Sequence, residues 1–90
     1  MTANSTINHR FTARALDEYN FWIRNNPKIA RKITNLINSI KQCPTSGIGK
    51  PEPLKHEYSG FWSRRITAEH RLVYRFDEST IYIYSCRYHY

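Results

Sequence analysis

Ninety residues carry 14 lysines and arginines against seven aspartates and glutamates, a net charge of +7. This length holds one compact core and no more, so a single domain over residues 1–90 is expected, with the polar residues 1–5 loose. No run approaches the roughly 20 apolar residues that span a bilayer, residues 1–10 lack the apolar stretch of a signal peptide, and Cys43 and Cys86 form neither a C-x-x-C pair nor a metal-ligand spacing with a histidine.

These features argue against a disulfide scaffold, a membrane span and a metal cage. A cytoplasmic protein with reduced thiols is the expectation. The surplus of positive charge points to a polyanionic partner, nucleic acid first and an acidic protein next.

In chain order, Thr6–Phe11 reads as a short, polar first strand, and Thr12 as a helix N-cap. From Ala13 the apolar residues take helical spacing. Ala15, Leu16, Tyr19, Trp22 and Ile23 make one stripe, and Phe21 falls off it, either exposed or against a partner. Asn25–Pro27 closes this helix and opens another, since proline suits a first helical turn. Ile29, Ile33, Leu36, Ile37 and Ile40 form the second stripe, with Lys28, Arg31, Lys32 and Lys41 pointing elsewhere. Two amphipathic helices joined this closely make a hairpin. Cys43–Pro53 reads as a loop from its Gly, Pro and Ser content. Three strand-like runs follow, 60–67, 70–76 and 80–90, separated by turn-sized AEH and DES. The predicted fold is α+β: a two-helix hairpin packed on a small twisted antiparallel sheet of three strands, four if the first run joins. One sheet face meets the helices and the other is free for function.

Residues two apart in a strand share a face. Phe61, Ser63 and Arg65 form one such set, Arg71, Val73 and Arg75 another, and Ser85, Arg87 and His89 a third. Six of the seven tyrosines lie in this C-terminal half. Arginines interleaved with aromatics hold phosphates and stack on unpaired bases, although Tyr74, Tyr82 and Tyr84 read as ordinary sheet packing. Three groups would suit RNA cleavage. Glu52, bracketed by Pro51 and Pro53, could take the proton of a ribose 2′-hydroxyl. Arg71 or Arg65 could neutralise charge on the scissile phosphate, and His89 could protonate the leaving oxygen. RNA supplies the nucleophile, so the scheme requires neither metal nor cofactor. His9, His56 and His70 compete for the histidine role. On the residues alone, a plain basic RNA-binding module stays open beside a nuclease.

Three stretches, GKPEPLKH (49–56), SGFWSRRI with EHRLVYR (59–66 and 69–75) and the terminal CRYHY (86–90), resemble the YoeB/Txe toxins of the RelE-like superfamily. The resemblance runs from about Phe11 to Tyr90. It implies a microbial RNase-like fold and a toxin that cuts mRNA in the ribosomal A site, halting translation. It assigns Glu52 as general base, Arg71 as transition-state stabiliser, His89 as general acid and Tyr90 to substrate orientation. Lys55 and Arg65 fall on phosphate contacts, and Lys50, Arg87 and Tyr88 flank the same motifs as further RNA contacts. It also implies a cognate YefM/Axe-like antitoxin with an acidic flexible segment, and a homodimer. Glu57 stands where the family pattern has an amide. The competing reading within the superfold is a non-enzymatic, ParE-like gyrase inhibitor, against which the KPEP acid and terminal YHY argue.

Overall fold

The computed structural model describes residues 7–88. The expected looseness of residues 1–5 and the roles of His89 and Tyr90 therefore lie outside the described residues. The elements are β1 (Asn8–Phe11), α1 (Ala13–Asn25), α2 (Pro27–Gln42), β2 (Glu52–Pro53), β3 (Trp62–Arg65), β4 (Arg71–Phe76) and β5 (Thr80–Ser85), with a 3₁₀ turn at His56–Tyr58.

Local chemistry sets the helix boundaries. The Thr12 hydroxyl accepts the Ala15 N–H at 3.0 Å and starts α1. Asn26 alone separates the helices, and Pro27 takes the first turn of α2, where its missing N–H costs nothing. The second stripe behaves as expected: Ile33, Leu36, Ile37 and Ile40 are buried, joined by Ala30. The first stripe is narrower than predicted. Ala15 and Trp22, seven residues apart, are buried, whereas Leu16 and Ile23 are 45% and 47% exposed. Each lies about 100° further round the helix, beyond the sheet's edge. Phe21 departs in the other direction. It packs against the core, with the Arg87 guanidinium 3.7 Å from its ring centre.

The sheet has five strands in the order β1-β5-β4-β3-β2. Strands β2 to β5 run antiparallel to their neighbours, but β1 pairs with β5 in parallel, so the sheet is mixed rather than antiparallel. No hairpin constrains β1, because the helices and three strands intervene before β5. Bonds from Asn8 N to Ser79 O and from Thr12 N to Ile83 O, both 3.0 Å, bracket its register. The stretch read as loop up to Pro53 contains β2. Pro53 pushes Glu52 into extended backbone and, lacking an N–H, is tolerated on an edge strand. Leu72, Tyr74, Ile81 and Ile83 meet the helices in the core. The second face is less open than expected: Ser63, Val73 and Ser85 are buried, and Phe61 covers part of it by packing on Tyr84 at 5.4 Å.

A cation sits within this interior. Arg64 has the strand parity of Trp62 and Ile66 and is fully buried. Its Nε donates to the Tyr74 hydroxyl (3.2 Å), Nη1 to Ser39 Oγ (2.8 Å) and the Ile48 carbonyl (3.0 Å), and Nη2 to the carbonyls of Cys43 (2.7 Å) and Ser46 (2.8 Å). The Tyr74 hydroxyl in turn donates a hydrogen bond to the Pro44 carbonyl at 2.6 Å. No carboxylate balances the charge among these partners; oriented carbonyl dipoles do. Gly49 closes the same loop over β3. Its φ is +84°, and an added Cβ would stand 2.8 Å from Leu36 Cδ2 and 3.2 Å from the Arg65 carbonyl.

Two substitutions test this loop. Arg64→Met should lower stability by about 3 kcal/mol, because it removes five donors from buried acceptors. Gly49→Ala should cost more than Gly60→Ala, which also has positive φ but nothing within 4 Å of a new Cβ. Urea unfolding measures both; equal costs at the two glycines would remove the packing argument.

Candidate active site

Strand register brings the expected residues to one sheet face. Glu52 lies opposite Ser63, and Arg65 lies opposite Arg71. Ser63 and Arg65 are two apart on β3, so all four side chains share that face. Sheet spacing puts the Glu52 and Arg71 Cα atoms about 12 Å apart, two strands across and two residues along. Glu52 is exposed and lines a hollow of about 490 Å³ with Pro53, Leu54, Lys55 and His56.

The cations differ in freedom. Lys50, Lys55 and Arg65 are exposed. The Arg65 amide donates to the Gly49 carbonyl at 2.7 Å, which extends β2's pairing back toward Lys50. Lys50 has φ +52° and His56 φ +59°, so the backbone is left-handed on both sides of Glu52. Arg71 is half-buried. Its Nη1 donates to the carbonyls of Thr67 (2.8 Å), Ala68 (3.2 Å) and His70 (3.2 Å). Its Nε and Nη2 make no hydrogen bond among the described residues. Arg87 is turned away from Glu52's strand toward α1, where its guanidinium stacks on Phe21.

The chain beyond β5 is held at several points. The Cys86 amide donates to Glu18 Oε1 at 2.7 Å, and the Cys86 carbonyl accepts Trp22 Nε1–H at 2.9 Å. The Tyr88 amide donates to His70 Nδ1 at 2.7 Å, and its carbonyl accepts the Arg71 amide at 3.1 Å. Tyr88 has φ +62°, so the chain turns sharply there, and its side chain is 56% exposed. Residue chemistry alone did not single out Arg64 or Glu18, and it gave Trp22 and His70 other readings, a helical stripe and a competing catalytic histidine. Only Arg64 left a trace in sequence: it is the charged member of an otherwise apolar parity set.

The two thiols occupy opposite environments. Hydrogen bonds from the Ser46 hydroxyl, at 3.1 Å, and from Thr45 lower Cys43 to about 7. Burial, with the Glu18 carboxylate beside it, raises Cys86 to about 12.

A model of the family described as "YoeB-like toxin of bacterial type II toxin-antitoxin system" matches residues 11–90. Toxin YoeB of Escherichia coli (strain K12) is 53% identical over 74 residues, 82% of this chain and 88% of that protein. The YoeB dimer from Staphylococcus aureus superposes with a TM-score of 0.89 at 44% identity, covering 94% of this chain and 99% of that one. The YoeB–YefM complex from the same organism gives 0.87 at 46% identity, covering 93% and 98%. The helix hairpin on a mixed sheet with a basic outer face is thus the architecture of a class of small bacterial toxins. Within that class, this chain belongs to the YoeB-like family of type II toxin–antitoxin systems.

Thiol alkylation checks the cysteine environments. Iodoacetamide should modify Cys43 with a rate that rises with pH around a midpoint near 7, because the thiolate is the nucleophile. Cys86 should react only on unfolding. A Cys43 midpoint of 8.5 or above would discard the assigned hydrogen bonds.

Proposed function

We propose that this toxin is a ribosome-dependent endoribonuclease that cuts mRNA in the A site without a metal. The observation that carries the reading is the common sheet face of Glu52, Arg65 and Arg71, in a chain of this family. Glu52 takes the proton of the ribose 2′-hydroxyl, and the oxygen attacks the adjacent phosphorus. Arg71, whose Nε and Nη2 make no hydrogen bond among the described residues, and Arg65 receive the charge that grows on the phosphoryl oxygens. His89 protonates the departing 5′-oxygen, leaving a 2′,3′-cyclic phosphate, which water then opens to a 3′-phosphate end. Tyr90 orients the substrate. Lys50, Lys55, Arg87 and Tyr88 contact the RNA, Tyr88 through its exposed ring.

Its partners in this reading are the ribosome with its mRNA and a YefM-like antitoxin, in the cytoplasm. The S. aureus relative's complex with YefM supports the antitoxin, and its dimer supports a homodimer. A net charge of +7 speeds encounter with both an acidic antitoxin segment and the ribosome. Among the described residues no helix is long and apolar enough to cross a membrane.

The test is cleavage of ribosome-bound mRNA, with product ends mapped against the reading frame. Glu52→Gln and His89→Gln should each slow cleavage by about 100-fold or more, the usual contribution of a general acid or base. Lys55→Ala and Arg65→Ala should mainly weaken binding. Full-rate cleavage by both the Glu52 and His89 variants would refute the assignment, as would growth arrest with intact mRNA.

A further inference from the structure

The backbone of the three residues after β5 takes part in four hydrogen bonds to other elements, and one of them ends on a side chain with no role so far. His70 ends the turn between β3 and β4 and is only 8% exposed. Its ring meets Trp22 edge-on at 4.8 Å and lies 5.0 Å from the Tyr88 ring. Its Nδ1 accepts the Tyr88 amide at 2.7 Å. An acceptor nitrogen carries no proton, so this bond requires the imidazole with its hydrogen on Nε2. The bond also serves a residue in an unfavourable conformation. A left-handed backbone is disfavoured at a residue with a Cβ, and Tyr88 sits at φ +62°. The conformation is held from both ends, by His70 at the amide and by the Arg71 amide at the carbonyl.

We propose that His70 is a positioning residue, whose unprotonated Nδ1 fixes the Tyr88 turn and so sets the direction in which the chain leaves the sheet beside Arg71. This rests on the reading that residues 89 and 90 take part in cleavage. His70 touches neither substrate nor reacting atoms in this scheme. It acts through the Tyr88 amide, and its neighbour Arg71 supplies the bond to the Tyr88 carbonyl. Backbone bonds brace the clamp itself: the His70 carbonyl accepts the amides of Ile66 (3.0 Å) and Thr67 (3.2 Å), and its own amide donates to Thr67 Oγ1 at 3.1 Å.

The experiment compares two substitutions in the full chain. His70→Phe keeps a ring against Trp22 and Tyr88 but has no acceptor. His70→Asn loses the ring but can bring an amide oxygen to the place of Nδ1. Two readouts are taken: hydrogen exchange of the Tyr88 amide, and the single-turnover rate and half-saturating toxin concentration for cleavage of ribosome-bound mRNA. The Phe variant should speed Tyr88 exchange and lower the cleavage rate, each by about tenfold, with half-saturation unmoved and β4 and β5 amides still protected. The Asn variant should restore both quantities to within about threefold, given one preserved acceptor. Nitrogen-15 spectra of the wild type should show Nδ1 unprotonated. Unchanged Tyr88 exchange in the Phe variant, a full cleavage rate despite faster exchange, no recovery with Asn, or a protonated Nδ1 would each overturn the proposal. A wild type that cleaves while His70→Phe cleaves equally well removes only the positioning role. A wild type that cuts nothing on the ribosome removes the nuclease reading and this role with it.

Discussion

The structure depends on a buried guanidinium. Arg64 joins elements that no hydrophobic contact would hold in register: Ser39 near the end of α2, the carbonyls of residues 43, 46 and 48, and Tyr74 on β4. A buried charge without a counter-ion is unfavourable unless every donor is satisfied. Here all five hydrogen-bonding positions of the fork are used, which lysine with three donors on one nitrogen could not reproduce. What this holds is the loop that delivers Glu52. Once residues 43–48 are wrapped round Arg64, Gly49 can bring its carbonyl to the Arg65 amide, and Lys50, Pro51 and Glu52 enter the sheet at its edge. The position of the exposed acid is thus set from beneath, by a cation on the opposite face of the neighbouring strand.

The outer face carries a cost that the inner face does not. Arg65 and Arg71 are direct cross-strand partners, and like charges in that arrangement destabilise a sheet. The one ion pair among the described residues, Arg14 with Glu18, lies on α1. Arg71 lowers its share of the repulsion by leaning one nitrogen onto the turn carbonyls. The Arg65 side chain is exposed and makes no hydrogen bond or ion pair among the described residues. An anionic partner laid over this face would relieve the repulsion, which the free protein carries at the expense of its own stability.

How much of this the sequence disclosed follows the range of the interactions. The helix hairpin and the β3-β4-β5 meander were legible, because periodicity, the Thr12 cap, Pro27 and the short turns act within a few residues. The parallel pairing of β1 with β5 was not, since about seventy residues separate the partners and no turn fixes their sense. The proline bracket round Glu52 was visible in the sequence, and the extended backbone that Pro53 imposes suits β2 to its place at the sheet edge. Leu16, Ile23 and Phe21 show the limit of a helical stripe: it gives the buried line, here Ala15 to Trp22, but its margins depend on what the sheet covers and on a distant Arg87. The shared face of Glu52, Arg65 and Arg71 needed register as well as parity. The anchoring of residues 86–88 by Glu18, Trp22 and His70 joins groups up to 68 residues apart and leaves no local pattern.

The two margins of the site are held separately, yet the β3–β4 hairpin organises both. Arg64 faces inward and secures the Glu52 loop, while Arg65, next in the chain, faces out. His70 is buried and bonds the Tyr88 amide, while Arg71, next in the chain, turns outward and opposes Arg65. Each holding residue is therefore followed by a cation of the open face. Strand alternation makes this economical for β3: one peptide step reverses the side-chain direction, so a single residue pair can brace a loop below and present charge above. In the turn, His70 and Arg71 reach the same result through opposite ends of one residue, the amide and the carbonyl of Tyr88. A slip of β3 by one residue against β4 would turn β3's side chains over, burying Arg65 on the face opposite Arg71 and exposing Arg64. The buried donors of Arg64 then do more than stabilise the loop. They fix the register on which the common face of Glu52, Arg65 and Arg71 depends.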